Sequence, residues 1–169
     1  FSYAYTEDLQ ILELPYKGKE ISMLILLPHE NLESIESSLT AEKFSEYKNQ
    51  MQETKLDAIY LPKFEFDSKY FMKETLSKMG MPTAFSNNAD FSGMDGTKNL
   101  FIDKVIHQAY VKVDEEGTEA AAATSVMVNL KSVSSRDIIF RADHPFIFVI
   151  HEKETGNILF MGRVTDPTK

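Results

Sequence analysis

The stretch Gly117-Thr118-Glu119-Ala120-Ala121-Ala122-Ala123-Thr124-Ser125 decides how this chain is read. By propensity, a glutamate followed by four alanines opens a helix. The flanks argue otherwise, because a strand pattern runs in over 101–113 and Val126-Met127-Val128 leads out. Written as a strand, Thr118, Ala120, Ala122, Thr124, Val126 and Val128 share one face that carries no charge. Glu119, Ala121, Ala123, Ser125, Met127 and Asn129 share the other. Side chains this small can stay exposed and can also fit between two neighbouring strands.

Upstream, Phe101 to Val113 alternates as one long strand. Val105, His107, Ala109, Val111 and Val113 lie on one face, and Lys104, Ile106, Gln108, Tyr110 and Lys112 on the other. His107 on the apolar face reads as a hydrogen-bonded structural histidine. Pro82, Asn87, Asn88, Gly93, Gly96 and Asn99 give 82–100 the composition of a loop. Before it, Asp67 or Ser68 can cap a helix that runs through Leu76 and Met79 and stops at Gly80. Leu56 to Leu61 has period two and ends at Pro62, with Phe64 and Phe66 continuing the alternation. From Asn31 to Gln52 the spacing is helical: Leu32, Ile35 and Leu39 form one stripe, and Phe44, Tyr47 and Met51 another. Thr40 between them is an N-cap, so two short helices are expected. Leu9–Leu14 and Ile21–Leu27 read as strands around a turn at Pro15-Tyr16-Lys17-Gly18-Lys19, and the unbroken Met23–Leu27 run as a strand covered on both faces. Downstream, strands over Phe146–Ile150 and Ile158–Val164 flank a turn at 152–157. The sum is an α+β fold of mostly antiparallel strands and a few helices.

With 18 Lys+Arg against 26 Asp+Glu among 169 residues, the net charge is −8, and no basic run is available to neutralise phosphates. Nucleic acid is therefore not an expected partner. The apolar runs are too short to span a bilayer as helices, so no membrane partner is expected either. Zero cysteines remove disulfides, thiolate metal sites and a cysteine nucleophile. His29, His107, His144 and His151 lack metal-ligand spacing, and no cofactor or metal is assigned. Asp114-Glu115-Glu116 alternate faces, Ser37-Ser38 and Ser134-Ser135 lack a nucleophile turn, and Gly93-Met94-Asp95-Gly96 reads as a turn. No catalytic residue is assigned, and the chain is expected not to be an enzyme. The opening Phe1-Ser2-Tyr3-Ala4-Tyr5, already strand-like and without an initiator methionine, suggests an internal piece of a longer protein.

Glu115-Glu116-Gly117-Thr118-Glu119-Ala120-Ala121-Ala122-Ala123-Thr124 resembles the hinge of inhibitory serpins, the serine-protease inhibitor superfamily. Phe140-Arg141-Ala142-Asp143-His144-Pro145-Phe146-Ile147-Phe148-Val149-Ile150 resembles that family's carboxy-terminal signature, and Ile158-Leu159-Phe160-Met161-Gly162-Arg163 its last strand. Leu12-Glu13-Leu14-Pro15-Tyr16 and Ala89-Asp90-Phe91-Ser92-Gly93-Met94 also resemble family segments.

The resemblance implies a partial serpin domain over 1–169 that lacks its amino-terminal part. It implies a hinge over 115–125 (Glu116 to Thr124 at its heart), an exposed reactive loop over 126–139, and signature strands over 140–169. In such a loop the bait residue lies fourteen past the hinge glycine, which is Lys131, followed by the small Ser132. Lysine there implies a trypsin-like protease, trapped as an acyl-enzyme when the cut loop inserts into a sheet. Arg136 and Leu130 are the alternative bait residues. Val128, Asn129, Leu130 and Val133 would contact the protease. His107 resembles the family's shutter histidine, a structural role. A non-inhibitory serpin (carrier, storage protein or chaperone) is the alternative function, set against a hinge whose inserting face is neither bulky nor charged. Glycosaminoglycan binding is left open. The family habit leans toward secretion, with the cytoplasm as alternative. Because a serpin needs more than twice this length, the chain by itself would supply one side of the insertion slot and expose unpaired strand edges.

Overall fold

The computed structural model describes residues 1–114 and 137–168. They form two units, Phe1–Phe64 with Val113–Lys169, and Glu65–Lys112. In chain order the strands are β1 (Ser2–Tyr5), β2 (Leu9–Pro15), β3 (Ile21–Pro28), β4 (Gln52–Glu53), β5 (Ala58–Tyr60), β6 (Phe64–Phe71), β7 (Ile106–Val113), β8 (Ile139–Arg141), β9 (Phe146–Glu152) and β10 (Ile158–Val164). The helices are α1 (Leu32–Ser38), α2 (Ala41–Asn49), α3 (Lys73–Lys78) and α4 (Ser92–Asp95), with one 3-10 turn at Thr83–Phe85.

The first unit is built on a six-stranded sheet in the order β10-β9-β3-β2-β1-β4, with every neighbouring pair antiparallel. The continuous apolar run explains the position of β3. A strand with no polar side can sit only where both faces are covered, and Met23 to Leu27 are at most 2% exposed. The hairpin before it closes through Tyr16 N–H to Ile21 O and Lys19 N–H to Tyr16 O. Gly18 takes φ +92° there, and Lys19 follows at φ 64°.

Alternation sorts the sheet's side chains onto two faces. Leu9, Ile11, Leu24, Leu26, Ile147 and Val149 pack with Leu32, Ile35 and Tyr47 of the two helices, and Leu39, Phe44 and Met51 close the edge. The stripes read from the sequence are thus the buried ones. Asn31 caps α1 by accepting from Ser34 N–H at 2.9 Å, and Thr40 caps α2 by accepting from Lys43 N–H at 3.1 Å. On the opposite face Phe64 meets Phe146 and Phe148 at ring separations of 5.9 and 5.4 Å. Each such side chain gains about 1.5–3 kcal/mol by leaving water, whereas an exposed ion pair such as Arg163–Glu36 adds about 0–1. The apolar layers therefore hold the sheet. On the outermost strand β10, the side chains of Ile158 to Met161 are exposed.

His151 on β9 is a polar side chain in this core, 1% exposed, with Nδ1 3.1 Å from the Glu152 carbonyl oxygen. Burial, then the Lys48 ammonium, hold its imidazole below the ordinary value of 6.5. The unfolded chain therefore takes up this proton first, so His151 costs stability as pH falls from 6.5 toward the lowered value. The melting temperature is expected to drop across that window and to drop less in His151→Gln. Identical pH profiles for the two proteins would exclude His151 as the cause.

In the second unit β6 and β7 form a two-stranded ribbon. Gln108 Nε2 donates to Asp67 Oδ2 at 2.7 Å and the Tyr110 hydroxyl to Glu65 Oε1 at 2.9 Å, contacts that run in opposite directions along the two strands. Two expectations are corrected here. Asp67 and Ser68 do not cap a helix; they lie inside β6, because β7 offers that backbone a partner, and α3 starts only at Lys73. The strand expected over 101–113 starts at Ile106, because Ile102 N–H bonds to Ala84 O instead. Gly80 does end the helical segment, at φ +107°. The Ser92–Asp95 turn of helix lies within 82–100, which is otherwise loop but for the Thr83–Phe85 turn.

Candidate functional site

The expected site is a loop between two strands, and its outgoing end can be followed residue by residue. The hinge residues Glu116 to Thr124, the bait Lys131 and Ser132, the contact residues Val128, Asn129, Leu130 and Val133, and the alternative Arg136 lie outside the described residues. On the incoming side β7 finishes in Val113, which is buried.

On the return, β8 is only three residues long and pairs in parallel with β5, placing Ala58 opposite Ile139, Ile59 opposite Phe140 and Tyr60 opposite Arg141. So short a parallel ladder needs help, and the side chains supply it. Phe140 is fully buried and meets Tyr3 edge-to-face at 6.5 Å. The Arg141 guanidinium lies 4.0 Å over the Tyr60 ring, and Ala142 N–H continues the ladder to Tyr60 O at 2.9 Å. Just ahead of the first pair, Asp57 N–H donates to Ile138 O at 2.9 Å, and Ile138 N–H donates to Asp57 Oδ2 at 2.8 Å.

The connection to β9 is fastened as well. His144 places Nε2 2.7 Å from the Pro28 carbonyl oxygen at the end of β3, and Nδ1 2.9 Å from Asp143 Oδ1. The His144 ring, together with the charge of Arg141, holds the Asp143 carboxyl below the usual carboxylate range. Residues 138–144 are thus bound to both β5 and β3.

His107 sits in β7, exposed, with its ring stacked on Tyr70 at 6.3 Å. The other histidines hold structural contacts: His29 Nε2 lies 3.0 Å from Thr6 O, His144 bridges as above, and His151 is buried. Among the described residues no three metal-ligating side chains come together. None of their helices is long and apolar enough to cross a membrane. The sequence reading passed over Asp57 and Tyr60. Their partners lie some eighty residues away, and no local pattern marks a parallel pairing of that span.

A family model described as serpin (serine protease inhibitor) matches residues 1–167. Serpin B3 of Homo sapiens is 45% identical, over 99% of this chain and 44% of its own length. Intracellular coagulation inhibitor 2 of Tachypleus tridentatus is 45% identical, over 98% of this chain and 41% of its own. In structure the chain is similar to uncleaved ovalbumin, with a TM-score of 0.86 and 36% identity over 99% of this chain and 45% of that one. The chain therefore spans less than half the length of the relatives it matches. The hinge and signature motifs, the sheet with β3 at its centre and a match across nearly the whole length agree: the chain belongs to the serpin family.

Proposed function

We propose that the whole protein carrying this chain inhibits a trypsin-like serine protease as a suicide substrate, with Lys131–Ser132 as the bait bond. One observation carries this reading: the face formed by Thr118, Ala120, Ala122 and Thr124 is small and uncharged, as a segment that must enter the middle of a sheet requires. The protease serine attacks the Lys131 carbonyl carbon, and its histidine passes the proton to the leaving Ser132 amine. This leaves an ester between Lys131 and the enzyme. Insertion of the freed segment competes with water for that ester. A strand inserted centrally forms backbone bonds on both edges, each worth about 0.5–1.5 kcal/mol net, so a dozen residues supply roughly ten kcal/mol before ordering costs. Dragging the enzyme along distorts its oxyanion site, and deacylation stalls.

The other proposed roles follow from the same reading. Val128, Asn129, Leu130 and Val133 tune which trypsin-like enzyme docks, and His107, stacked on Tyr70, has a structural part in sheet opening. One relative is named an intracellular inhibitor, so a cytoplasmic site stands beside secretion as a location for the whole protein.

Brief exposure of the whole protein to trypsin should give a single cut after Lys131 and an SDS-stable adduct of the combined mass. Lys131→Leu should slow that adduct with trypsin at least about a hundredfold, since the acidic specificity pocket loses its partner. Clean cleavage without adduct would favour a non-inhibitory serpin. A cut after Arg136 or Leu130 would move the bait.

A further inference from the structure

We infer that Asp57 is a positioning residue for the bait loop, pinning the chain at Ile138 so that the loop's outgoing end starts from a fixed point. The inference rests on reading 126–139 as the reactive loop. Its structural basis is the two-way contact between Asp57 and Ile138. One bond is backbone to backbone, Asp57 N–H to Ile138 O, and survives any substitution that keeps the fold. The other, Ile138 N–H to Asp57 Oδ2 at 2.8 Å, is charge-assisted and depends on the side chain alone.

The location gives this bond leverage. β8 has three residues, and Ile138 and Ile139 are exposed, so apolar packing does not hold them. The buried anchor further along is Phe140. Between the proposed Ser132 and the pin lie only residues 133–137. Without the carboxylate, Ile138 keeps the backbone bond from Asp57 N–H but loses the one that holds its own N–H, so the start of β8 is fixed less firmly and docking to a protease must restrict it again. The hinge is on the other side of the bait, so trapping after cleavage does not draw on this contact. Asp57 should therefore act on how fast the protease is engaged, not on what fraction of cleavage events ends in a trap.

The test compares Asp57→Ala and Asp57→Asn in the whole protein, because asparagine retains an oxygen acceptor for Ile138 N–H. In Asp57→Ala, hydrogen exchange at the Ile138 amide is expected to quicken about threefold to tenfold. Formation of the covalent complex with trypsin should slow by a similar factor, with an unchanged number of inhibitor molecules consumed per trapped enzyme. Asp57→Asn, which keeps an oxygen acceptor but not its charge, should lose less than Asp57→Ala in exchange and in complex formation, with the same number of inhibitor molecules consumed per trapped enzyme. Unchanged exchange in Asp57→Ala would overturn the pin, and quickened exchange with an unchanged rate of engagement would overturn its positioning role. Equal loss in both variants would assign the effect to charge, against the proposal. If the unsubstituted protein forms no complex at all, the inhibitory reading fails and the positioning role with it. The exchange data would then still report whether Asp57 holds Ile138.

Discussion

Replacing Thr118 by arginine is expected to turn the whole protein from an inhibitor of its protease into a substrate. Thr118 stands first on the uncharged face with Ala120, Ala122 and Thr124, and would enter the sheet early. A guanidinium taken into that environment without a partner costs several kcal/mol, and every 1.4 kcal/mol added to the barrier slows insertion about tenfold. Hydrolysis of the ester is untouched by the substitution, so water wins the race. Glu119 already carries a charge on the opposite face, and Glu119→Gln should leave trapping largely intact. Gel analysis after mixing with trypsin should show cleaved Thr118→Arg protein, active enzyme and complex reduced by at least about a hundredfold. Undiminished covalent complex would falsify the insertion argument.

The second large effect is structural. Gly162 on β10 faces Phe148 on β9 directly across the ladder, and a Cβ built at Gly162 would lie 2.7 and 2.8 Å from the Cζ and Cε1 atoms of the Phe148 ring. That ring is buried and has the Phe64 ring 5.4 Å away, so a shift that makes room for a Cβ must disturb close packing. Glycine is required here for close approach of the ring, a use of its missing side chain distinct from the turn at Gly18. Gly162→Val is expected to destabilise by about 1–3 kcal/mol or more, and to lower the melting temperature by several degrees. Adding Phe148→Leu should recover part of the loss, because the smaller side chain vacates the contested space. If the effects of the two substitutions simply add, the clash is not the cause.

Much of the architecture was legible locally. The Met23–Leu27 run announces a strand covered on both sides, and it occupies the middle of the sheet. Thr40 divides two helical stripes and does cap α2, and the turn at 152–157 does separate two strands. These features depend on neighbours a few residues away, which a periodic pattern records.

What escaped the sequence depends on distant partners. Asp67 and Ser68 have good capping chemistry, yet β7 claims their backbone and keeps them in a strand. Phe101 to Val105 alternate well, but Ile102 finds Ala84 instead of a neighbouring strand. By itself the sequence determined where the central strands and first helices run, because the period of the apolar side chains is a local quantity. The tertiary structure alone decided that Asp57 grips Ile138 and that Phe148 fills the space beside Gly162. Both contacts exist only after separate strands are brought together, when backbone groups must find partners and side chains must share one volume.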